Sequence, residues 1–327
     1  MTRVFGYDMV LPMNTGAEAV ETAIKLSRKW AYQVKKVPKG EALVFGASGN
    51  FHGRTMGAIS LSTEAEARDG FEPFLSGVGS VCNYNSDYSI EYGNVESLRK
   101  ALEAHGPKTA AFIVEPVQGE AGVVVPPRGY LKACRDLCSQ HNVLFIADEI
   151  QSGLGRTGKL LACDHEGVKP DVVLLGKALS GGVYPVSAVL ANKDVMLCIK
   201  PGEHGSTFGG NPVACVAGIA AIRVLLEEGL VEKSFTMGEY FRDKLRKVQA
   251  KHQKYVKEIR GLGLMNAVVL DESALPMSAF DVCVRLKENG VLAKPTRQNI
   301  IRLTPPLCIT EEEVDICVEA LGKSLAF

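Results

Sequence analysis

The sequence predicts an α/β protein. The larger unit has a mostly parallel central sheet covered by helices, and a smaller α+β unit follows it. Three observations predict this. Over residues 10–230, short apolar β-branched runs alternate with helical stretches. The runs are nearly continuous in apolar residues, as strands buried on both faces are. Near Gly229 the chain becomes more charged, and helix and strand patterns change order. A length of 327 residues suits two domains at about 150 residues each. The expected division is 1–230, a large domain, and 231–327, a small one.

The first unit's strands are expected at 43–45, 110–114, 143–147, 172–175 and 186–190, and its helices at 17–34, 95–105 and 129–141. Strands joined through helices run parallel, which gives a layered α/β architecture. Residues 211–228 read as one long helix, apolar through 216–226, that joins the two units. Beyond it, 231–253 is an amphipathic helix. Strands follow at 255–260 and 264–270 around Gly261 and Gly263. The chain ends with a helix at 278–289, a strand at 300–303 and a helix at 311–325.

Composition excludes several function classes. Lys plus Arg number 37 and Asp plus Glu number 37, so the chain carries no net charge to attract nucleic acid or an anionic membrane. A hydrophobic fraction of 46% against 23% charged excludes wholesale disorder. Apolar stretches such as 215–222 fall short of the ~18 residues of a membrane span. The first residues carry no basic segment followed by an apolar run, so no secretory signal is expected. The nine cysteines form no CxxC pair. They read as free thiols in a reducing compartment, with the cytosol expected and the mitochondrial matrix as the alternative. No metal site is expected.

Four segments can carry chemistry. Asn14–Ala17 is a small-residue turn leading into a helix, where free N–H groups and the helix dipole suit a phosphate. Thr15 there is equally a helix cap. The apolar run 143–147 ends in Asp148 and Glu149, at the strand end where open α/β sheets hold ligands. The two carboxylates point to opposite faces, so at most one meets a given ligand. The run 172–175 ends at Gly176 with Lys177 next, and a lysine at the mouth of a sheet can form a Schiff base with a carbonyl. Gly205–Pro212 places Ser206, Thr207 and three glycines ahead of a helix, which again suits an anion. Gly153, Gly155 and Gly158 match the spacing of a dinucleotide loop, but no helix opens at Gly158 and no acid follows about 20 residues on. A strand-end aspartate, a strand-end lysine and phosphate-cradling turns are what pyridoxal 5'-phosphate needs.

Asp148–Gly158 (DEIQSGLGRTG) followed by Gly176–Gly182 (GKALSGG) resembles the signature of class III aminotransferases of fold type I. Met13–Tyr32, Lys200–Pro212 and Leu292–Leu307 resemble the branch of that family that transfers the δ-amine of ornithine. The resemblance implies pyridoxal 5'-phosphate as cofactor, amino acids and 2-oxo acids as substrates, and a homodimer or higher assembly. Its alternatives are another class III specificity, for N-acetylornithine or 4-aminobutyrate, or a non-catalytic dimerising fragment. It implies that Lys177 is the Schiff-base lysine and proton shuttle, that Asp148 serves the pyridine nitrogen, and that Gln151 bonds the phenolic oxygen. Thr15, Gly16, Ala17 and Ser206 line the phosphate, Thr207 completes the partner's phosphate site, and Phe51 stacks on the ring. Arg302 and Arg54 would each hold a substrate carboxylate, with Glu120 pairing Arg302 when only one carboxylate is to be held. In the family a sizeable segment precedes the phosphate turn, so the chain is expected to be N-terminally incomplete and poorly soluble or weakly active alone.

Overall fold

The computed structural model describes residues 1–79 and 89–327. Packing divides the chain into two compact units. One contains Met1–Pro116, Pro126–Gln151 and Cys163–Arg223; the other contains Val117–Val125, Ser152–Ala162 and Val224–Phe327. The units do not follow a single cut in the chain. Val117 and Val123 are buried with Met265, Ala267, Val269 and Ile300. Arg156 Nη1 donates to the carbonyls of Leu264 and Pro305. Those contacts tie both short insertions to the C-terminal unit.

Among the described residues, the first unit holds seven strands: β1 (Met9–Met13), β2 (Leu43–Gly46), β3 (Val78–Gly79), β4 (Thr109–Val114), β5 (Leu144–Asp148), β6 (Val172–Leu175) and β7 (Ser187–Ala191). Their order is β1-β7-β6-β5-β4-β2-β3. The pairs from β3 through β6 are parallel, while β7 runs antiparallel to both β6 and β1. Strands β4, β5, β6 and β7 are buried along their whole length, which explains their unbroken apolar runs. The apolar face of helix Gly16–Trp30, with Ala19, Val20, Ala23 and Ile24, packs against one side of the sheet. Helices Val95–His105 and Tyr130–Gln140 cover the other.

The second unit is built on β8 (Val256–Leu262), β9 (Met265–Leu270), β10 (Lys294–Thr296) and β11 (Ile300–Leu303). These form an antiparallel sheet of order β10-β11-β9-β8. Helices Leu230–Lys251, Ala279–Glu288 and Glu311–Ser324 supply Phe241, Leu245, Val282, Leu286, Val314 and Leu321 to its core. The last two helices open on capping boxes, Ser278 with Asp281 and Thr310 with Glu313.

Of the strands that the sequence does not announce, β1 and β10 contain Pro12 and Pro295. Both are edge strands, the position where a missing N–H is tolerated. The helix expected at 17–34 is regular only to Trp30 and then widens into a single π turn over Ala31–Lys35. No helix opens in the 153–158 glycine run, which is a turn. Eight cysteines, among the described residues, are free thiols. No helix among the described residues is long and apolar enough to cross a membrane.

Candidate active site

The strand directions of the first unit bring three turns and one strand start to one edge of the sheet. Met13, the last residue of β1, pairs with Ser187, the first of β7. Ala188 pairs with Leu175 at the end of β6, and Leu174 pairs with Asp148 at the end of β5. The turns after β1, β5 and β6 and the start of β7 therefore share one rim. Side chains lock them together. Ser187 Oγ donates to the Thr15 carbonyl at 2.6 Å. Ile150 fills the space beside both glycines: a Cβ on Gly16 would stand 3.0 Å from Ile150 Cδ1, and one on Gly176 would stand 3.2 Å from Ile150 Cγ2. A Cβ at Gly16 would need the Ile150 side chain to shift by a few tenths of an ångström.

Thr15 caps helix Gly16–Trp30 through a capping box with Glu18. Its hydroxyl accepts from the Glu18 N–H at 3.2 Å. Gly16 and Ala17 occupy the first turn, where no preceding carbonyl is in place to accept their N–H groups. Ser206 sits beside this turn, accepting from Asn14 Nδ2 at 2.7 Å. Thr207 is exposed on the following residue.

Asp148 is 4% exposed. Its Oδ1 accepts from the Ile150 N–H at 3.1 Å, and its Oδ2 meets His52 Nδ1 at 2.6 Å. A solvated strand end is thereby ruled out. Burial alone pushes the His52 imidazole towards neutrality. The Asp148 hydrogen bond and charge, followed by the Glu115 charge, more than offset burial and raise its pKa. The opposite ring nitrogen, Nε2, is buried without a partner. Neighbouring Glu149 faces elsewhere: it is fully buried and accepts from the Cys163 N–H at 2.9 Å. The two carboxylates thus serve different sides of the strand, as their alternation requires.

Lys177 follows Gly176 directly, is exposed, and takes a left-handed backbone with φ of 41°. That conformation costs a lysine about 1–3 kcal/mol, which is the kind of strain that concentrates at functional positions. Gln151 is half-buried one turn beyond Asp148. Phe51 is half-buried and its N–H donates to Glu115 Oε1 at 2.9 Å, beside the buried His52. The Arg54 guanidinium is exposed and stands 5.3 Å from the centroid of the Phe51 ring.

Glu120 and Arg302 belong to the second unit and meet each other there. Arg302 Nη1 stands 2.7 Å from Glu120 Oε1, with both side chains mostly covered.

Sequence reasoning misses His52, Ile150 and Ser187. His52 lies 96 positions from Asp148, and no local spacing links the two. Its one signal is that it is a histidine beside Phe51.

Comparison with known proteins follows the same lines. The sequence matches the aminotransferase class-III family over residues 1–325. A rice protein named ornithine aminotransferase, mitochondrial, is 57% identical over 326 residues, covering 99% of this chain and 67% of that protein. The crystal structure of ornithine aminotransferase from Toxoplasma gondii superposes with a TM-score of 0.93 at 49% identity, covering 99% of this chain and 74% of that one. An acetylornithine aminotransferase from Elizabethkingia anophelis superposes with a TM-score of 0.86, also at 49% identity, over 99% of this chain and 77% of that one. A buried strand-end aspartate, a strained strand-end lysine and a match along nearly the whole chain lead to one conclusion: the protein belongs to the class-III aminotransferase family.

Proposed function

We propose that the chain is a pyridoxal 5'-phosphate-dependent aminotransferase that moves the δ-amine of L-ornithine to 2-oxoglutarate, giving L-glutamate 5-semialdehyde and L-glutamate. The observation that carries the ornithine reading is the Glu120–Arg302 pair. A guanidinium suited to a carboxylate is already covered by a carboxylate of the chain itself. A substrate end whose amine carbon bears no carboxylate needs that cover, and a dicarboxylate needs it removed. The names of the rice and Toxoplasma relatives support the same reading.

The residues present fit the cofactor. Asp148 is a buried carboxylate aimed from a strand end, the helix start at Gly16 and Ala17 offers N–H groups for a phosphate, and Lys177 reaches the same rim. When bound, the cofactor supplies an aldehyde for the amine and a ring that withdraws electrons. Lys177 would hold the aldehyde through its ε-amine and would move the proton at the donor carbon. Asp148, in contact with His52 Nδ1, would hold a proton on the ring nitrogen. Gln151 would donate to the phenolic oxygen, and Phe51 would cover a ring face. Gly16, Ala17, Thr15 and Ser206 hold the phosphate. Arg54 and Arg302 take substrate carboxylates, with Glu120 yielding Arg302 to a dicarboxylate.

The active form is read as a homodimer in which Thr207 completes the partner's phosphate site. Phe208, Val213, Val216 and Ile219, all exposed apolar side chains following Thr207, support that assembly. The compartment is read as reducing, cytosol or mitochondrial matrix, in keeping with the free thiols.

Amine-donor profiling of the cofactor-loaded protein tests the proposal. Ornithine should outperform N-acetylornithine and 4-aminobutyrate. A preference for N-acetylornithine, the reading suggested by the Elizabethkingia neighbour, would replace it.

A further inference from the structure

One row of the second sheet carries an unusual set of side chains. Arg260 on β8 pairs with Ala267 on β9, Ala267 with Arg302 on β11, and Arg302 with Lys294 on β10. Residues directly opposite in antiparallel strands share a face. Three cations thus stand on one face, and small Ala267 separates the two arginines.

The loop Val117–Val125 packs on these strands. Its ends pair, with the Gln118 N–H donating to Val124 O and the Val124 N–H to Gln118 O, at 3.1 and 2.9 Å. Val117 and Val123 bury against Ala267 and Ile300. Two guanidinium groups hold the loop from the same row. Arg302 takes Glu120. Arg260 Nε and Nη2 both donate to the Gly122 carbonyl, at 3.1 and 2.9 Å. The loop is tight where Arg260 grips it. Gly122 has φ of 103°, and a Cβ there would collide with Ile300 Cδ1. Val123 is held at φ of 56°, a strained conformation for a β-branched residue.

We infer that Arg260 is a positioning residue for substrate selection: its two-pronged grip on the Gly122 carbonyl fixes the loop, so that Glu120 returns to Arg302 and uncovers it by side-chain rotation alone. This inference rests on the gating role given to the Glu120–Arg302 pair above. Without Arg260 the strained turn at Gly122–Val123 relaxes, the Glu120 backbone wanders, and Arg302 is covered for less of the time. Dicarboxylate donors then gain on ornithine.

The test uses cofactor-loaded full chain and five proteins: wild type, R260Q, R260K, E120A and the E120A/R260Q double variant that closes the cycle. The quantity read is kcat/KM for ornithine divided by kcat/KM for glutamate. R260Q should lower this ratio by about 5–10-fold, and R260K by less, because its ammonium can still make one of the two N–H bonds to that carbonyl. In the E120A background, R260Q should change the ratio by less than about twofold, since the group it positions is gone. Amide exchange at Val123 and Val124 should quicken in R260Q, a readout independent of activity. A ratio unchanged in R260Q, with both rates falling together, would overturn the inference, as would equal effects in the wild-type and E120A backgrounds. Should R260Q not fold, R260K carries the same comparison. A wild type that ignores ornithine would instead defeat the gating reading itself, and the two failures are distinguished by the wild-type ratio.

Discussion

His52 Nδ1 stands 2.6 Å from Asp148 Oδ2, and the two side chains are only 3% and 4% exposed. Burial pushes the His52 imidazole towards neutrality, but the Asp148 hydrogen bond and charge outweigh it and raise the His52 pKa. A negative Asp148 is what a protonated pyridine nitrogen requires.

Asp148→Asn keeps the shape and removes the charge. Cofactor should still bind, while the proton-transfer rate at the donor carbon falls by about 10²-fold or more. Rapid-mixing measurement of the ornithine half-reaction checks this, and wild-type rates would mean another group serves the ring.

His52→Gln leaves Asp148 buried without its imidazole partner. Breaking a buried pair typically costs about 3–5 kcal/mol, so the variant should melt well below wild type. The sign of the pH dependence follows from the raised folded pKa. The pair's stabilisation is fully present below the free-histidine value near 6.5 and is lost as pH rises through the folded value. The stability gap between wild type and His52→Gln should therefore be widest at mildly acid pH, as thermal melts across pH 5–9 would show.

His204 predicts the opposite slope. Its Nε2 lies 2.8 Å from Thr22 Oγ1 and its Nδ1 lies 2.8 Å from Lys25 Nζ. Burial and the Lys25 charge lower its pKa. A folded pKa below the unfolded one gives stability that is present above about 6.5 and lost as pH falls through the folded value. Acidification should loosen the 200–208 segment that carries Ser206 and Thr207. Phosphate-cofactor affinity should weaken below pH 6 in wild type and weaken less in His204→Gln, measured by cofactor titration.

Glu120→Ala should leave Arg302 uncovered. Selectivity for ornithine over glutamate should fall about tenfold, the equivalent of ~1.4 kcal/mol, with the glutamate half-reaction held or faster. Steady-state donor competition measures it, and an unchanged preference would remove the gate.

Much of this architecture is legible in the residues. Strands such as Val172–Leu175 announce themselves because burial on both faces demands unbroken apolar runs. Asp148 and Lys177 stand out because charged groups directly after such runs are costly without a task. The parts that stay hidden depend on distant partners. Strands β1 and β10 carry prolines that are acceptable only because the fold puts them at edges. His52 gains its meaning from a residue 96 positions away. The loop Val117–Val125 reads as part of the first domain by position, yet Arg260 and Ile300 hold it in the second unit.

Nitrogen tracing tests the central claim most directly. The cofactor-loaded protein would be given 2-oxoglutarate with ornithine carrying ¹⁵N at either the δ or the α position, and the glutamate formed would be weighed by mass spectrometry. The account predicts labelled glutamate from δ-labelled ornithine and unlabelled glutamate from the α-labelled donor. Label arriving from the α position, or no glutamate from either donor, would contradict it.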